Sequence, residues 1–544
     1  MKIKPILTAM FAAGVSLSLI GCNGEDGSDG INGTNTASQI ISLNQQGTYA
    51  SGVFDESAAE IVAFDTETEQ TFVVNANSGS VDVLDSADVT NPIKTTSLNI
   101  ADDMLADSIV ANTDVVGEAN SVAVNNGLMA GAVAADTKTD NGWVAFYNTT
   151  DLSYVSSVEV GALPDMVTFT TDGSQVVVAN EGEPTEADYS VDPEGSVSVI
   201  DIEWDGSVLT TSVTNIGFTE FNQGGSRAAK LPENVILNGA RDATVAQDLE
   251  PEYISISTDN SKAFVAFQEN NAIAEINLSD KIINKIWGLG FKDHSIPGNE
   301  LDGNNKDDQV AITSQPAFGI YMPDSIASMD FNGKTYVLTA NEGDDRADWI
   351  VDFDQTTCEA NNFYYHLEDN ECLDDITMKD ALDSDVLDPA DASTKLDFSN
   401  FDTGGDLAYA VHRLKFSYSI TKQFGDIDGD GAIDKMLSYG GRSFSIWDAE
   451  SGTLVFDSGN DFERITAQRY GADFNQSNDA NGEPEDRSDN KGPEPEALTV
   501  GKINGHTYAF IGLERLGGIM VYDVSNPNNP EYVQYINNRD ITVD

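Results

Sequence analysis

The stretch Asp426-Ile427-Asp428-Gly429-Asp430-Gly431-Ala432-Ile433-Asp434 sets acids at positions 1, 3, 5 and 9, with glycine at position 6. That spacing aims hard oxygen donors at one point, and the glycine permits the sharp turn a calcium loop requires. Asp426, Asp428, Asp430 and Asp434 would give carboxylates, and Ala432 its backbone carbonyl. Position 12, a glutamate in the helix-flanked version, is Leu437. The flanks read as strands, so we expect a calcium hairpin rather than a helix–loop–helix module.

A second set of carboxylates occupies one position of a repeated pattern. Glu60, Asp165, Glu252, Asp324 and Glu496 each open a short run with apolar residues at alternate positions, and Asn120 opens a sixth with an amide. Pro164, Pro251, Pro323 and Pro495 directly precede four of these acids. A proline there removes no interior ladder hydrogen bond, which suits the start of a strand. The clearest copy runs from Leu163 to Asp201: an alternating strand, an Asp172-Gly173 turn, Val176-Val177-Val178, an acidic loop, then Ser196 to Asp201.

Weaker copies recur along most of the chain, including Lys435 to Asp457, and no strand–helix alternation intervenes. The expected fold is all-β: a single seven-bladed β-propeller over residues 43–544, with long acidic loop inserts, one of them at about 352–400. A pair of β-sandwiches is the alternative; the ring is preferred because radial repetition leaves only short, protected edges. Residues 47–54 are expected to close the ring against the last blade.

In such a ring every innermost strand starts beside the axis at one face, and the turn between second and third strands returns there. Asp165, Glu181, Glu252, Asp324, Glu342 and Glu496 are therefore expected to line a calcium-binding channel mouth, joined by Glu269 and Glu514. Carboxylates crowded about one axis repel unless they are protonated or bridged by a cation. Arg346, Arg442 and Arg515 are candidate phosphate holders, since an arginine beside a metal can grip a phosphate with two parallel bonds. No Gly-x-Ser-x-Gly, His-Glu-x-x-His or P-loop occurs.

Composition bounds the partners. Against 91 acidic residues stand 28 basic ones, a formal net charge of −63. Nucleic acid is excluded as a partner class, because phosphate backbones are held by lysine and arginine; calcium is the natural counter-charge. Lys2 and Lys4 precede an apolar run ending in Leu19-Ile20-Gly21-Cys22, which resembles a bacterial lipobox. The resemblance implies cleavage before Cys22 and lipidation of it, with Asn23 favouring the outer membrane, at its periplasmic or extracellular face. Residues 1–22 are then a signal peptide, and 23–42 a flexible acidic tether. Cys358 and Cys372 are expected to form a disulfide in this exported chain.

Several of these stretches also carry a family resemblance. Leu163-Pro164-Asp165 through Glu181-Gly182-Glu183-Pro184, with Gly441-Arg442-Ser443, Pro493-Glu494-Pro495-Glu496 and Glu514-Arg515-Leu516-Gly517-Gly518, resembles the choice-of-anchor I family. The resemblance spans roughly residues 45–540 and implies a surface-anchored propeller; family members include mesenchyme-specific cell-surface glycoproteins and bacterial proteins labelled alkaline phosphatase. The reading is a calcium-binding, lipid-anchored surface or adhesion module whose ligand is an extracellular polymer, a protein or a phosphoester. The alternative is a metal-dependent phosphoesterase using a carboxylate-held calcium at the mouth.

Overall fold

Several first turns are held locally by side chains. In one, the Asp172 carboxylate accepts the Ser174 N–H (3.1 Å) and the Thr170 hydroxyl (2.8 Å), while Gly173 takes φ +70°. In another, Asp259 accepts from Ser257 and Ser261 in the same way, with Asn260 at φ +58°. Short polar residues and glycine tolerate this left-handed position at little cost. The computed structural model describes residues 41–53, 59–185, 189–307, 309–346, 349–377, 395–396, 413–427, 429, 432–478 and 482–541.

Six four-stranded antiparallel sheets follow one another along the described chain, each begun by one of the six alternating runs. Their first strands are Val62–Asp65, Val116–Asn125, Pro164–Phe169, Ile254–Ile256, Ile326–Phe331 and Pro495–Ile503. Apolar clusters join consecutive sheets: Phe72 and Met129 link the first to the second, and Phe146 and Val178 the second to the third. Val199 and Val265 link the third to the fourth, Phe264 and Val337 the fourth to the fifth, and Leu338 and Ile511 the fifth to the sixth. Both faces of a middle sheet are thus covered, which explains why second strands such as Val176-Val177-Val178 are continuously apolar.

The expectation of seven blades is corrected to six among the described residues. The run from Lys435 to Asp457 is not a blade of its own. Met436–Tyr439 pairs in parallel with Ala317–Ile320 in a small side sheet, and Ser443–Asp448 and Thr453–Asp457 complete the sheet begun by Ile326–Phe331 and Lys334–Asn341. A four-residue buried run has no periodicity to reveal which neighbour it pairs with. The hundred-residue insertion inside one sheet then mimicked an extra repeat.

The seam between the sixth and first sheets differs from the others. Among the described residues no apolar cluster spans it, and Val62 and Phe64 on the first strand are 62% and 51% exposed. Residues 41–53 cross this region without forming a strand. The Leu43 backbone exchanges two hydrogen bonds with the Gln534 side chain (2.9 and 3.0 Å), and Gly47 lies against the Val89 carbonyl of the first sheet. The expected closure is therefore a bridge touching both sheets at Leu43 and Gly47; Phe54 lies outside the described residues.

Candidate metal centre

Three of the strand-leading acids, Asp165, Asp324 and Glu496, reach the mouth through a recurring backbone latch. Leu163, Met322 and Glu494, each directly before a proline, take φ of +46°, +42° and +46°. That region is rare for bulky residues and costs of order 1–3 kcal/mol each. The turned carbonyls accept N–H groups from the turn between second and third strands: Glu181 to Leu163 (2.9 Å), Gly343 to Met322 (3.1 Å) and Glu514 to Glu494 (2.8 Å). The latch ties each leading acid to the turn acid of its own sheet. Asn180 and Asn341 brace those turns by donating to Ser198 and Ser445, each at 2.8 Å.

The result is one cavity of about 390 Å³ touched by Glu60, Asn120, Asp165, Glu252, Asp324 and Glu496, with Glu342 and Asp344 beside them. All six leading residues converge there as expected. A wider cavity of about 640 Å³, sharing Glu252 and Asp344, adds Glu181, Glu183, Glu269, Trp349 and Arg487. Burial raises the carboxyl groups, and neighbouring acids raise them further. Asp165 is pushed up to about 7, with Glu183 contributing, and Glu496 to about 7, with Glu342 and Glu60 contributing. Glu252, Glu181 and Asp324 are held well above the carboxylate range for the same reasons. Crowding of this kind disfavours the ionised form until a cation arrives.

Two carboxylate trios form within the mouth, each with oxygens within 4.8 Å of one another: Glu181–Glu252–Glu269 and Glu342–Glu494–Glu514. The second is already neutralised. Lys491 Nζ lies 3.0 Å from Glu342, 3.7 Å from Asp344 and 3.9 Å from Glu494. Arg487 bonds Glu494 through Nε (2.7 Å) and a terminal nitrogen (3.2 Å), and Arg515 lies 3.1 Å from Glu514. The first trio has no salt bridge among the described residues. Glu269 is buried, and Oε2 of Glu269 and Oε2 of Glu252 have no hydrogen-bond partner among the described residues. Three carboxylates, two of them with an unsatisfied buried oxygen, fit a hard divalent cation.

The three candidate phosphate holders are committed elsewhere. Arg346, buried, pairs with Asp248 and Glu250. Arg442, also buried, pairs with Glu463 and donates to the carbonyls of Asp302, Ser488 and Asn490. Arg515 serves Glu494 and Glu514. In the loop at 426–434, Asp428 and Asp430 lie outside the described residues, as does the side chain of Ala432. Asp426 accepts the Gly429 N–H (2.8 Å) and Asp434 the Ile427 N–H (3.0 Å). One flank is corrected: a helix, Tyr418–Phe424, precedes the loop where a strand was expected. Cys358 and Cys372 are joined by a disulfide, Cα atoms 5.7 Å apart. Cys22 lies outside the described residues, and no helix among those described is long and apolar enough to cross a membrane.

Sequence reasoning placed Glu181, Glu252 and Glu269 at the mouth but did not find what neutralises the other trio. Lys491 comes from the loop that precedes the last sheet. The signal available was its place three residues before Glu494, inside a run that ends at a leading acid.

Sequential four-stranded sheets whose leading residues share one axial cavity define a β-propeller-like protein. The chain belongs to the choice-of-anchor I family: the Choice-of-anchor I domain matches residues 60–527. It is 23% identical over 345 residues to the mesenchyme-specific cell surface glycoprotein of Strongylocentrotus purpuratus, covering 59% of this chain and 42% of that protein. It is 37% identical over 101 residues to Gigasin-3a of Magallana gigas, covering 18% of this chain and 36% of that one. The matches thus span less than half the length of either relative. A solved β-propeller domain, Swd1 of Myceliophteria thermophila, aligns at TM-score 0.29 and 9% identity, covering 53% of this chain and 63% of that one.

Proposed function

We propose that this protein is a calcium-binding surface module, anchored to the outer membrane through lipid on Cys22, whose binding face is the channel mouth. The observation that carries the reading is the pair of buried oxygens on Glu252 and Glu269 that have no hydrogen-bond partner among the described residues, within 4.8 Å of a Glu181 oxygen. Carboxylate oxygens are the donors calcium prefers, and leaving them unmatched is expensive in a buried site. Asp165, Asp324, Glu342 and Glu496 line the same cavity and add to the field that draws a cation in. The loop at Asp426, Asp428, Asp430, Ala432 and Asp434 is a second calcium site, serving stability rather than the mouth. Kinship to a protein named as a cell-surface glycoprotein supports display on a surface. The phosphoesterase reading draws no support from Arg346, Arg442 or Arg515, whose charges are spent on carboxylates.

The test is calorimetric titration of chelator-treated full-length protein with calcium. Glu269→Gln is expected to remove one ion from the stoichiometry, and Asp426→Asn with Asp434→Asn a different one. An unchanged count in Glu269→Gln removes the mouth site.

A further inference from the structure

Glu252 stands before the first strand of the fourth sheet, Ile254–Ile256, and Glu269 follows its second, Lys262–Phe267. Their backbones pair as far as the Glu252 N–H and the Ala266 carbonyl (3.0 Å). Beyond that point a side chain takes over. Asn270 is fully buried; its Nδ2 donates to the carbonyls of Asp248 (2.7 Å) and Ile236 (2.9 Å), and its Oδ1 accepts the Glu250 N–H (3.3 Å). Two carbonyls and one N–H are the complement of a single carboxamide, since a hydroxyl has one hydrogen to donate and a carboxylate none. Arg346 grips the same loop, bonding the Asp248 and Glu250 carboxylates and donating to the Asp248 carbonyl (3.0 Å). The third sheet abuts it too: a Cβ on Gly195 would lie 2.0 Å from the Leu249 carbonyl and 3.0 Å from that of Glu181.

The neighbouring turns are braced differently. Asn180 and Asn341 precede their acids and donate to serines of their own sheets' third strands. In the fourth sheet that place holds Gln268, which donates to Glu342 instead (3.1 Å). Asn270, one residue past its acid, reaches back to the loop that leads through Pro251 into Glu252. Its bonds therefore join the turn of one carboxylate to the approach of the other.

We infer that Asn270 is the positioning residue that fixes the opening between Glu252 and Glu269, and so sets the preference of the trio for calcium over magnesium. The inference rests on the calcium reading above. Magnesium demands oxygens at about 2.0–2.1 Å in a near-ideal octahedron, whereas calcium accepts about 2.3–2.6 Å and irregular geometry. Carboxylates held from behind by buried hydrogen bonds cannot contract onto the smaller ion without breaking those bonds. Released from the brace, the two acids adjust to either ion and the discrimination falls. Arg346 stiffens the same loop, which gives this arginine a role that needs no phosphate.

The experiment uses full-length protein carrying Asp426→Asn and Asp434→Asn, so that the loop site does not contribute. Calcium and magnesium are titrated separately after chelation, and the ratio of the two affinities is the readout. Asn270→Ser is expected to lower calcium affinity about tenfold and magnesium affinity less than about threefold, so the ratio falls at least about threefold. Ile511→Ala, in the apolar cluster between the fifth and sixth sheets, costs stability away from the trio and is expected to leave the ratio unchanged. Should Asn270→Ser fail to fold, Arg346→Lys carries the test: it keeps the charge, cannot grip both acids, and is expected to lower the ratio about twofold. Equal losses for both ions in the folded variant, unchanged binding of either, or a ratio that falls as far in Ile511→Ala would overturn the inference while leaving the calcium site intact. A calcium count that Glu269→Gln does not change would remove the calcium reading, and this inference with it.

Discussion

The two carboxylate trios at the mouth share two of their three positions, the turn acids of neighbouring sheets, yet they ask for different things. The third position is the leading acid Glu252 in one and Glu494, two residues before the leading acid Glu496, in the other. Glu181 and Glu342 follow the bracing asparagines Asn180 and Asn341; Glu269 and Glu514 occupy the same turn in the next sheet. In one trio Lys491, Arg487 and Arg515 stand against the carboxylates, so that part of the mouth already carries its own positive charge. In the other, Arg346 is held by Asp248 and Glu250, and two carboxylate oxygens are unsatisfied among the described residues. A count of acids would rank the two alike. What separates a cation site from a closed ion-pair network is where the basic side chains are already engaged.

The sharpest way to break this comparison is to make the same isosteric change on both sides. Glu494 is fully buried and bonded to Arg487. Glu494→Gln therefore strands a guanidinium and is expected to lower stability by about 3–5 kcal/mol. Glu269→Gln should do the reverse in chelator at pH 8. Burial pushes Glu269 up to about 7 from 4.5, so ionising it in the folded state is unfavourable, and removing that charge is expected to stabilise the calcium-free protein by about 2–3 kcal/mol. Urea unfolding of both variants checks the signs. Destabilisation by Glu269→Gln in chelator would mean its oxygens have partners after all.

A smaller effect is expected from taking away the built-in cation. Lys491→Met leaves Glu342 without its nearest charge, at a loss of about 2 kcal/mol in chelator. The second trio then resembles the first, so calcium stoichiometry should rise by one and part of the stability should return with calcium. If the stoichiometry stays the same, Arg487 and Arg515 suffice to close that trio.

The contrast also marks what could be read from the residues alone. Glu252 and Glu181 were legible because a strand of period two, repeated with an acid at the same offset, sends that acid to the same place each time. The turn acids Glu269, Glu342 and Glu514 followed from the same reasoning. The pairing of Lys491 with Glu342 was not legible: it spans 149 residues and depends on how an insertion folds over the mouth. The pairing of Arg346 with Asp248 and Glu250 was not legible for a related reason, since the two acids lie at and just past the end of a short helix, Val245–Asp248, that no repeat positions. The blade count failed where Met436–Tyr439, a buried run with no alternation, joined a side sheet instead of the axis.

The last expected effect is a slope with pH. Glu514 is pushed up to about 8 from 4.5, first by burial and then by Glu342 and Glu494, with Arg515 opposing. Below the unfolded value both states hold the proton. Between 4.5 and 8 only the folded state does, so stability declines as pH rises through that window and levels above it. Glu514→Gln cannot release a proton, and it should match the parent near pH 4 and exceed it at pH 8 by about 1 kcal/mol, the carboxylate being partly solvated. Calcium should leave this difference unchanged, because the trio that holds Glu514 already contains its cations. In the Glu181–Glu252–Glu269 trio the ion competes with protons, so calcium affinity there should rise with pH across the same range. Guanidinium unfolding at pH 4 and 8, with chelator and with calcium, reads both. A calcium-sensitive Glu514→Gln difference would show that the two trios share an ion, and the distinction between them would fall.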